Sequence, residues 1–237
     1  IMKQKGDEMK GVIVMSLGGS LIVPNKIDNI FLDEFKKVLL KNSKKYKFVV
    51  VCGGGSIART YINGFNSQNI KNKTYLQSLL GISVTRLNAR FMTYFFGGDA
   101  NKGVPHEIKE VSNLLMKNDI VFCGALRYSP DQTSDSTAAR LAHFFKCDFI
   151  NLTNVPGLYS QNPKKFKKAK FIPYISYKDF LKIANQFEFY PGQHFVLDQK
   201  TAEIINKYKI RTFILGPDMK NLDNLLNKKY FVGSIIE

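Results

Sequence analysis

Three consecutive glycines, Gly53-Gly54-Gly55, follow the apolar run Phe48-Val49-Val50-Val51-Cys52 and precede Ser56-Ile57-Ala58-Arg59. That order fits a strand, a turn without side chains, and the first turn of a helix. Lacking Cβ atoms, such a turn lets backbone N–H groups approach a ligand, while the new helix aims its positive end at the same place. Phosphate suits that environment. Residues 12–17 followed by Gly18-Gly19-Ser20 repeat the design upstream. Two anion cradles at the ends of two early strands imply two phosphorylated ligands meeting head to head, the arrangement needed for phosphoryl transfer.

Other phosphate-handling designs are excluded. No Gly-x-x-x-x-Gly-Lys-Ser/Thr occurs, and neither a dinucleotide fingerprint with its distant acidic residue nor the protein-kinase motifs are present. What is present is an ordered set. Ser16-Leu17-Gly18-Gly19-Ser20 closes the first strand, and Gly53-Gly54-Gly55-x-x-x-Arg59 closes the second. Gly124 and Thr133-Ser134-Asp135 lead into a later helix, and Thr153-Asn154-Val155-x-Gly157-x-Tyr159-x-x-x-Pro163-Lys164 comes last.

This order resembles the amino acid kinase superfamily and, within it, the archaeal-type uridylate (UMP) kinases. The resemblance runs over residues 12–236 and is most specific at 52–62, 80–89 and 152–159. The middle segment, Leu80-Gly81-Ile82-Ser83-Val84-Thr85-Arg86-Leu87-Asn88-Ala89, has no obvious catalytic chemistry, which makes its match informative. The resemblance implies a three-layer α/β/α sandwich around a mainly parallel sheet. It implies one domain over 9–237, with an acceptor-binding lobe at 9–147 and an ATP-binding lobe at 148–237. The implied reaction is Mg²⁺-dependent transfer of the ATP γ-phosphoryl group to UMP, a step of pyrimidine nucleotide biosynthesis, in a homohexamer built as a trimer of dimers.

By the family pattern Ser16, Gly18 and Asp198 lie at the catalytic centre. Gly19, Ser20, Gly55, Arg59, Thr153, Tyr159 and Asn162 would hold ATP, and Gly54, Ser78, Arg127, Gln132, Thr133 and Ser134 would hold UMP. No side chain is assigned to a metal. Several roles have plain alternatives: Thr133 and Ser134 as helix caps, Arg59 as a surface arginine, Tyr159 as half-buried filler, Asp198 as a cap. The chain also departs from the family. Ser16 stands where relatives carry Lys or Asp, Ser78 where an aspartate binds the ribose hydroxyls, Pro156 and Asn162 where two further aspartates stand. The loop 125–132 is longer than its Pro-Gly-containing counterpart and lacks its glycine. These losses leave open a different acceptor on the same fold, or a nucleotide binder without catalysis.

The elements that must position these residues alternate short apolar runs with stretches of helical period, the pattern of an α/β protein with a mainly parallel sheet. Strands are predicted at 12–17, 48–52, 119–123, 149–152 and 211–215, and a last edge or antiparallel strand at 231–236. Helices are predicted at 28–43 with Asp28 as cap, 56–65, 75–95, 133–146 capped by Ser134 or Asp135, 176–186 capped by Ser176, and 198–208. The helix at 75–95 is apolar nearly all round, the mark of deep burial or a subunit interface. Residues 160–170 read as a basic flap and Tyr190-Pro191-Gly192-Gln193 as a loop.

Composition adds limits. The 237 residues suffice for a large core, no apolar run approaches the ~20 needed to span a bilayer, and no signal peptide is visible. Residues 1–8 are polar and lie outside the pattern, an N-terminal extension with Met9 as a natural start. The net charge of +16 suggests nucleic acid, but the bases are scattered and no aromatics interleave with them at a stacking spacing. Attraction of anionic nucleotides is the better use of that charge. Cys52, Cys123 and Cys147 sit in or beside apolar runs and read as reduced thiols of a cytoplasmic protein. No Cys or His spacing suggests zinc.

Overall fold

The computed structural model describes residues 10–130, 132–161, 163, 166–186 and 197–237. In chain order the first half comprises β1 (Gly11–Leu17), α1 (Gly19–Ile22), α2 (Asn29–Asn42), β2 (Tyr46–Cys52), α3 (Gly55–Gly64), α4 (Lys73–Phe96), α5 (Ile108–Lys117) and β3 (Ile120–Cys123). Then follow α6 (Ser134–Phe145), β4 (Phe149–Leu152), β5 (Leu158–Tyr159), β6 (Phe171–Ile172), β7 (Tyr174–Ile175) and α7 (Tyr177–Ala184). The described chain ends with α8 (Gln199–Tyr208), β8 (Thr212–Leu215), α9 (Met219–Leu226) and β9 (Ser234–Ile236).

One sheet runs in the order β3-β2-β1-β4-β8-β9-β7. Its first five strands are mutually parallel, β9 is antiparallel to β8, and β7 is parallel to β9. Strands buried on both faces need no polar alternation, which is why β1 and β2 read as continuous apolar runs. Alternation still sorts the residues by face. Ile13, Met15, Leu17, Phe48, Val50 and Cys52 pack under α1, α2, α4 and α9, while Val14, Val49, Val51 and Cys123 pack under α5 to α8. The expected three-layer α/β/α sandwich with a mainly parallel sheet is what forms.

Local signals hold at most helix starts. Asp28 accepts from Phe31 N at 3.1 Å, and Ser176 accepts from Asp179 N at 3.1 Å. At α6 the cap is Thr133 rather than Ser134 or Asp135. Thr133 is extended, its hydroxyl accepts from Ser136 N, and the Ser136 hydroxyl accepts from Thr133 N, a capping box that requires the capping residue to stand outside the helix. The strand near the C-terminus is antiparallel to β8, as expected, but two-residue β7 takes the edge. Helix α5 escaped the sequence reading although Ile108, Val111, Leu114 and Leu115 form a helical stripe. The short α1, the α9 helix and β5 to β7 escaped it too.

Helix α4 buries Val84, Asn88, Ala89, Met92 and Phe96 against the sheet and leaves Leu87 and Tyr94 exposed. Among the described residues no helix is long and apolar enough to cross a membrane. The three cysteines are free, and burial pushes the Cys123 thiol up to about 12. Phe96 ties α4 to both the sheet and α2, edge-on to Phe122 of β3 at 4.7 Å and to Phe35 of α2 at 6.3 Å. Phe96→Ala is expected to cost about 3–5 kcal/mol in a urea unfolding titration.

Candidate active site

The site lies at the carboxyl ends of the parallel strands, where the strand order reverses between β1 and β4, the usual place for ligands on such sheets. The strand ends are bound to one another stepwise. Gly53 N donates to Leu17 O at 2.8 Å, Gly18 N to Leu152 O at 3.0 Å, and Thr153 N to Leu215 O at 2.9 Å. The turns after β2, β1 and β4 are thereby fixed in register as one rim.

On that rim the two glycine turns touch through backbone alone. A Cβ on Gly19 would fall 2.4 Å from Gly55 N and 2.5 Å from Gly53 O. One on Gly55, whose φ is +62°, would fall 2.6 Å from the Gly19 carbonyl carbon. Neither position tolerates a side chain, and Gly55 also occupies the left-handed region that favours glycine. Helix α4 holds this arrangement from the side. Asn88 Nδ2 donates to Gly53 O at 2.7 Å in a buried bond, and Thr85 Oγ1 accepts from Ala125 N at 2.9 Å. Arg86 donates from Nε to Ala125 O at 3.1 Å and from Nη2 to Leu126 O at 2.8 Å. The segment that lacked chemistry in the sequence is therefore the clamp of both the glycine turn and the loop after β3.

A carboxylate pair lies beside the glycines. Ser16 faces the α6 side of the sheet, where its hydroxyl donates to Asp135 Oδ1. Burial pushes the Asp135 carboxyl up to about 7, the Asp198 carboxylate pushes it the same way, and the Ser16 bond opposes both. Asp198 caps α8 by accepting from Thr201 N at 2.9 Å, and its other oxygen accepts from Thr201 Oγ1 at 2.7 Å and Thr133 Oγ1 at 2.5 Å. The caps of α6 and α8 are thus one network. Sequence reasoning saw Asp135 only as a possible cap; the alternation of β1, which turns Ser16 toward α6, was the signal that pairs them.

The remaining expected residues distribute as follows. Gly54 precedes α3 beside Gly81 O and Thr85, and Ser134 Oγ lies 3.5 Å from where a Gly53 Cβ would stand. Gly19, Ser20 and Thr153 share the β1–β4 part of the rim. Tyr159 is half-buried in β5, edge-on to Phe171 at 5.3 Å. Arg59 is half-exposed on α3 and forms no ion pair with any described residue. The Thr133 hydroxyl is engaged by Asp198 and Ser136, and Gln132 Nε2 donates to Thr137 Oγ1 at 2.7 Å. Ser78 Oγ donates to Thr74 O at 2.9 Å, and Arg127 pairs with Glu107. Asn162 lies outside the described residues, as does the 190–193 loop.

Two outcomes are expected. Asn88→Ala leaves the buried Gly53 carbonyl without its partner and should lower stability by about 1–3 kcal/mol in a chemical melt. The native Asp135 keeps a proton that the unfolded chain releases above about 3.8, so its contribution to stability falls as pH rises toward 7 and then levels. Asp135→Asn should therefore gain on the parent in thermal melts as pH is raised from 4 to 8; a constant difference would refute that assignment.

Comparison with known proteins agrees with this architecture. The amino acid kinase family matches residues 11–216. Uridylate kinase of Thermoplasma volcanium is 33% identical over 231 residues, 97% of this chain and 99% of that protein. Uridylate kinase of Thermococcus sibiricus is 33% identical over 95% of this chain and 99% of its own. The crystal structure of uridylate kinase from Archaeoglobus fulgidus superposes with a TM-score of 0.81 at 32% identity, covering 95% of this chain and 99% of that one. A UMP kinase from Ureaplasma parvum (TM-score 0.71, 21% identity, 96% and 99% covered) shares the fold. So does an isopentenyl phosphate kinase (TM-score 0.68, 16% identity, 95% and 100% covered). The chain, with its paired glycine turns and its full-length likeness to uridylate kinases, belongs to the amino acid kinase family.

Proposed function

We propose that this protein is a UMP kinase, a nucleoside monophosphate kinase that transfers the γ-phosphoryl group of ATP to UMP, giving UDP and ADP. The observation that carries the reading is the backbone contact of Gly19 with Gly53 and Gly55, which brings two anion-binding turns together at the ends of neighbouring strands. An oxygen of the UMP phosphate attacks the γ-phosphorus in line as the bond to the β-γ bridging oxygen breaks and ADP leaves. The acceptor is already an anion, so no general base is needed; catalysis is positioning and charge neutralisation.

Residues 148–237 form the ATP side in this reading and residues 9–147 the acceptor side. Gly19, Ser20, Gly55, Arg59, Thr153, Tyr159 and Asn162 hold ATP. Gly54, Ser78, Arg127, Gln132, Thr133 and Ser134 hold UMP, the engaged Thr133 serving through its position at the start of α6. Ser16, Gly18 and Asp198 shape the centre. Magnesium enters with ATP as its complex. Among the described residues no group of three or more His, Cys, Asp or Glu is placed to hold a metal, and in this reading the ion is carried by the phosphate oxygens. The partly exposed face of α4, with Leu87 and Tyr94, supports a homo-oligomer; in this reading the assembly is a trimer of dimers and the protein is cytoplasmic. A second reading, another acceptor on the same fold, draws on Ser78, whose hydroxyl faces the Thr74 carbonyl instead of offering a carboxylate to a ribose.

The test is ADP release with MgATP and UMP, CMP, AMP, GMP, carbamate or N-acetylglutamate. Turnover confined to UMP is expected; turnover with another acceptor supports the second reading, and ATP binding without turnover points to a non-catalytic binder. Ser78→Asp should lower KM for UMP about fivefold, since a charge-assisted bond exceeds a neutral one by about 1 kcal/mol. A clear rise in KM would remove Ser78 from the ribose site.

A further inference from the structure

The loop after β3 crosses α4 as a strap. At its inner end Ala125 and Leu126 are bound by Thr85 and Arg86. At its outer end the Tyr128 ring meets Tyr75, in the first turn of α4, with centroids 4.8 Å apart and planes at 87°. Tyr75 and Arg86 are separated by about three helical turns, or about 16 Å of rise, so they lie on one face of α4, with Ser78 and Ile82 between them. Between its two anchors the strap also pairs Arg127 with Glu107, just before α5. The strap therefore runs along the face that carries Ser78, from Thr85, whose methyl lies beside Gly54, out to the first turn of α4.

The Tyr75–Tyr128 pair differs from packing pairs elsewhere. Phe96 and Phe122 meet at a similar 4.7 Å but are 1% and 0% exposed, whereas Tyr75 and Tyr128 are 43% and 40% exposed. In an edge-to-face pair each ring keeps at least one face clear of its partner, and both tyrosines are exposed. An uncovered aromatic face beside a hydroxyl-bearing helix face and a phosphate cradle is the chemistry that receives a nucleobase. Both tyrosines are also independent of the glycine turns, so nothing in the phosphate cradle requires them.

We propose that Tyr128, latched on Tyr75, is the wall against which the base of the acceptor nucleotide stacks, making this pair a specificity-determining element of the acceptor site. The inference rests on UMP being the acceptor. It separates base recognition, at the outer end of α4, from phosphate recognition at the glycine turns.

The chain contains no tryptophan, so Tyr128→Trp introduces a single emitter at the proposed wall. Titration with UMP should quench or shift that emission saturably, while ribose 5-phosphate, which lacks the base, should leave it unchanged, as should ADP. In parallel, Tyr128→Ala should raise KM for UMP about tenfold with KM for ATP unchanged, and Tyr128→Phe should restore the parent value, as expected for loss of one base stack. An unresponsive indole in the Tyr128→Trp variant, when the parent phosphorylates UMP, would overturn the inference and leave the kinase reading intact. So would an equal response to ribose 5-phosphate. A UMP-specific response without any phosphoryl transfer by the parent would uphold the inference and overturn the reaction. Neither response nor transfer would overturn both.

Discussion

The structure depends on two turns pressed together so closely that neither admits a side chain. Neighbouring parallel strands run about 4.8 Å apart, and turns that leave them side by side compete for the same space. With Gly19 lying against Gly53 and Gly55, that competition is resolved by removing every Cβ from the contact. The starts of α1 and α3 then stand close together, and in the proposed reaction their dipoles are what oppose the repulsion between two phosphates. The rest of the fold keeps those turns still. The sheet supplies the stepwise bonds from Gly53 to Leu17 and from Gly18 to Leu152, and Asn88 holds the Gly53 carbonyl from the helix layer.

Electrostatics at the centre is balanced in an unusual way. Ser16 offers a neutral hydroxyl to the buried Asp135. Among the described residues no cation pairs with the buried carboxyl, and Asp198 stands close enough to oppose its ionisation. Burial and the nearby Asp198 carboxylate push the Asp135 carboxyl up to about 7, far above the usual carboxylate range. Asp198 accepts from three donors, Thr201 N, Thr201 Oγ1 and Thr133 Oγ1.

Much of this was legible in the residues. Apolar runs ending in glycine revealed β1 and β2 with their turns, because backbone-only contact leaves a compositional trace. Asp28, Ser176 and Asp198 were readable as caps because the capping bond is local. The α6 cap was displaced by one residue because Thr133, Ser134 and Asp135 are all good capping types, and the choice among them depends on Ser136 reaching back. The pairing of Ser16 with Asp135 spans 119 residues, so the alternation of β1 points Ser16 toward α6 but nothing local to Asp135 announces the bond. Two-residue β7 owes its place to its neighbours Ile235 and Ile236, not to its own sequence. The partnership of Arg86 with the 125–126 carbonyls was invisible for a similar reason, since backbone acceptors carry no residue identity.

The anchoring of the loop after β3 at its root has a consequence for how such enzymes diverge. Thr85 and Arg86 grip backbone atoms of Ala125 and Leu126, so the grip is indifferent to which side chains follow. Beyond that point the chain is free to lengthen at small entropic cost, since closure entropy grows only slowly with loop length. The turns at Gly19 and Gly55 have no such latitude. Change is thereby channelled to the chain after residue 126, while the rim at Gly19 and Gly55 admits no side chain at all.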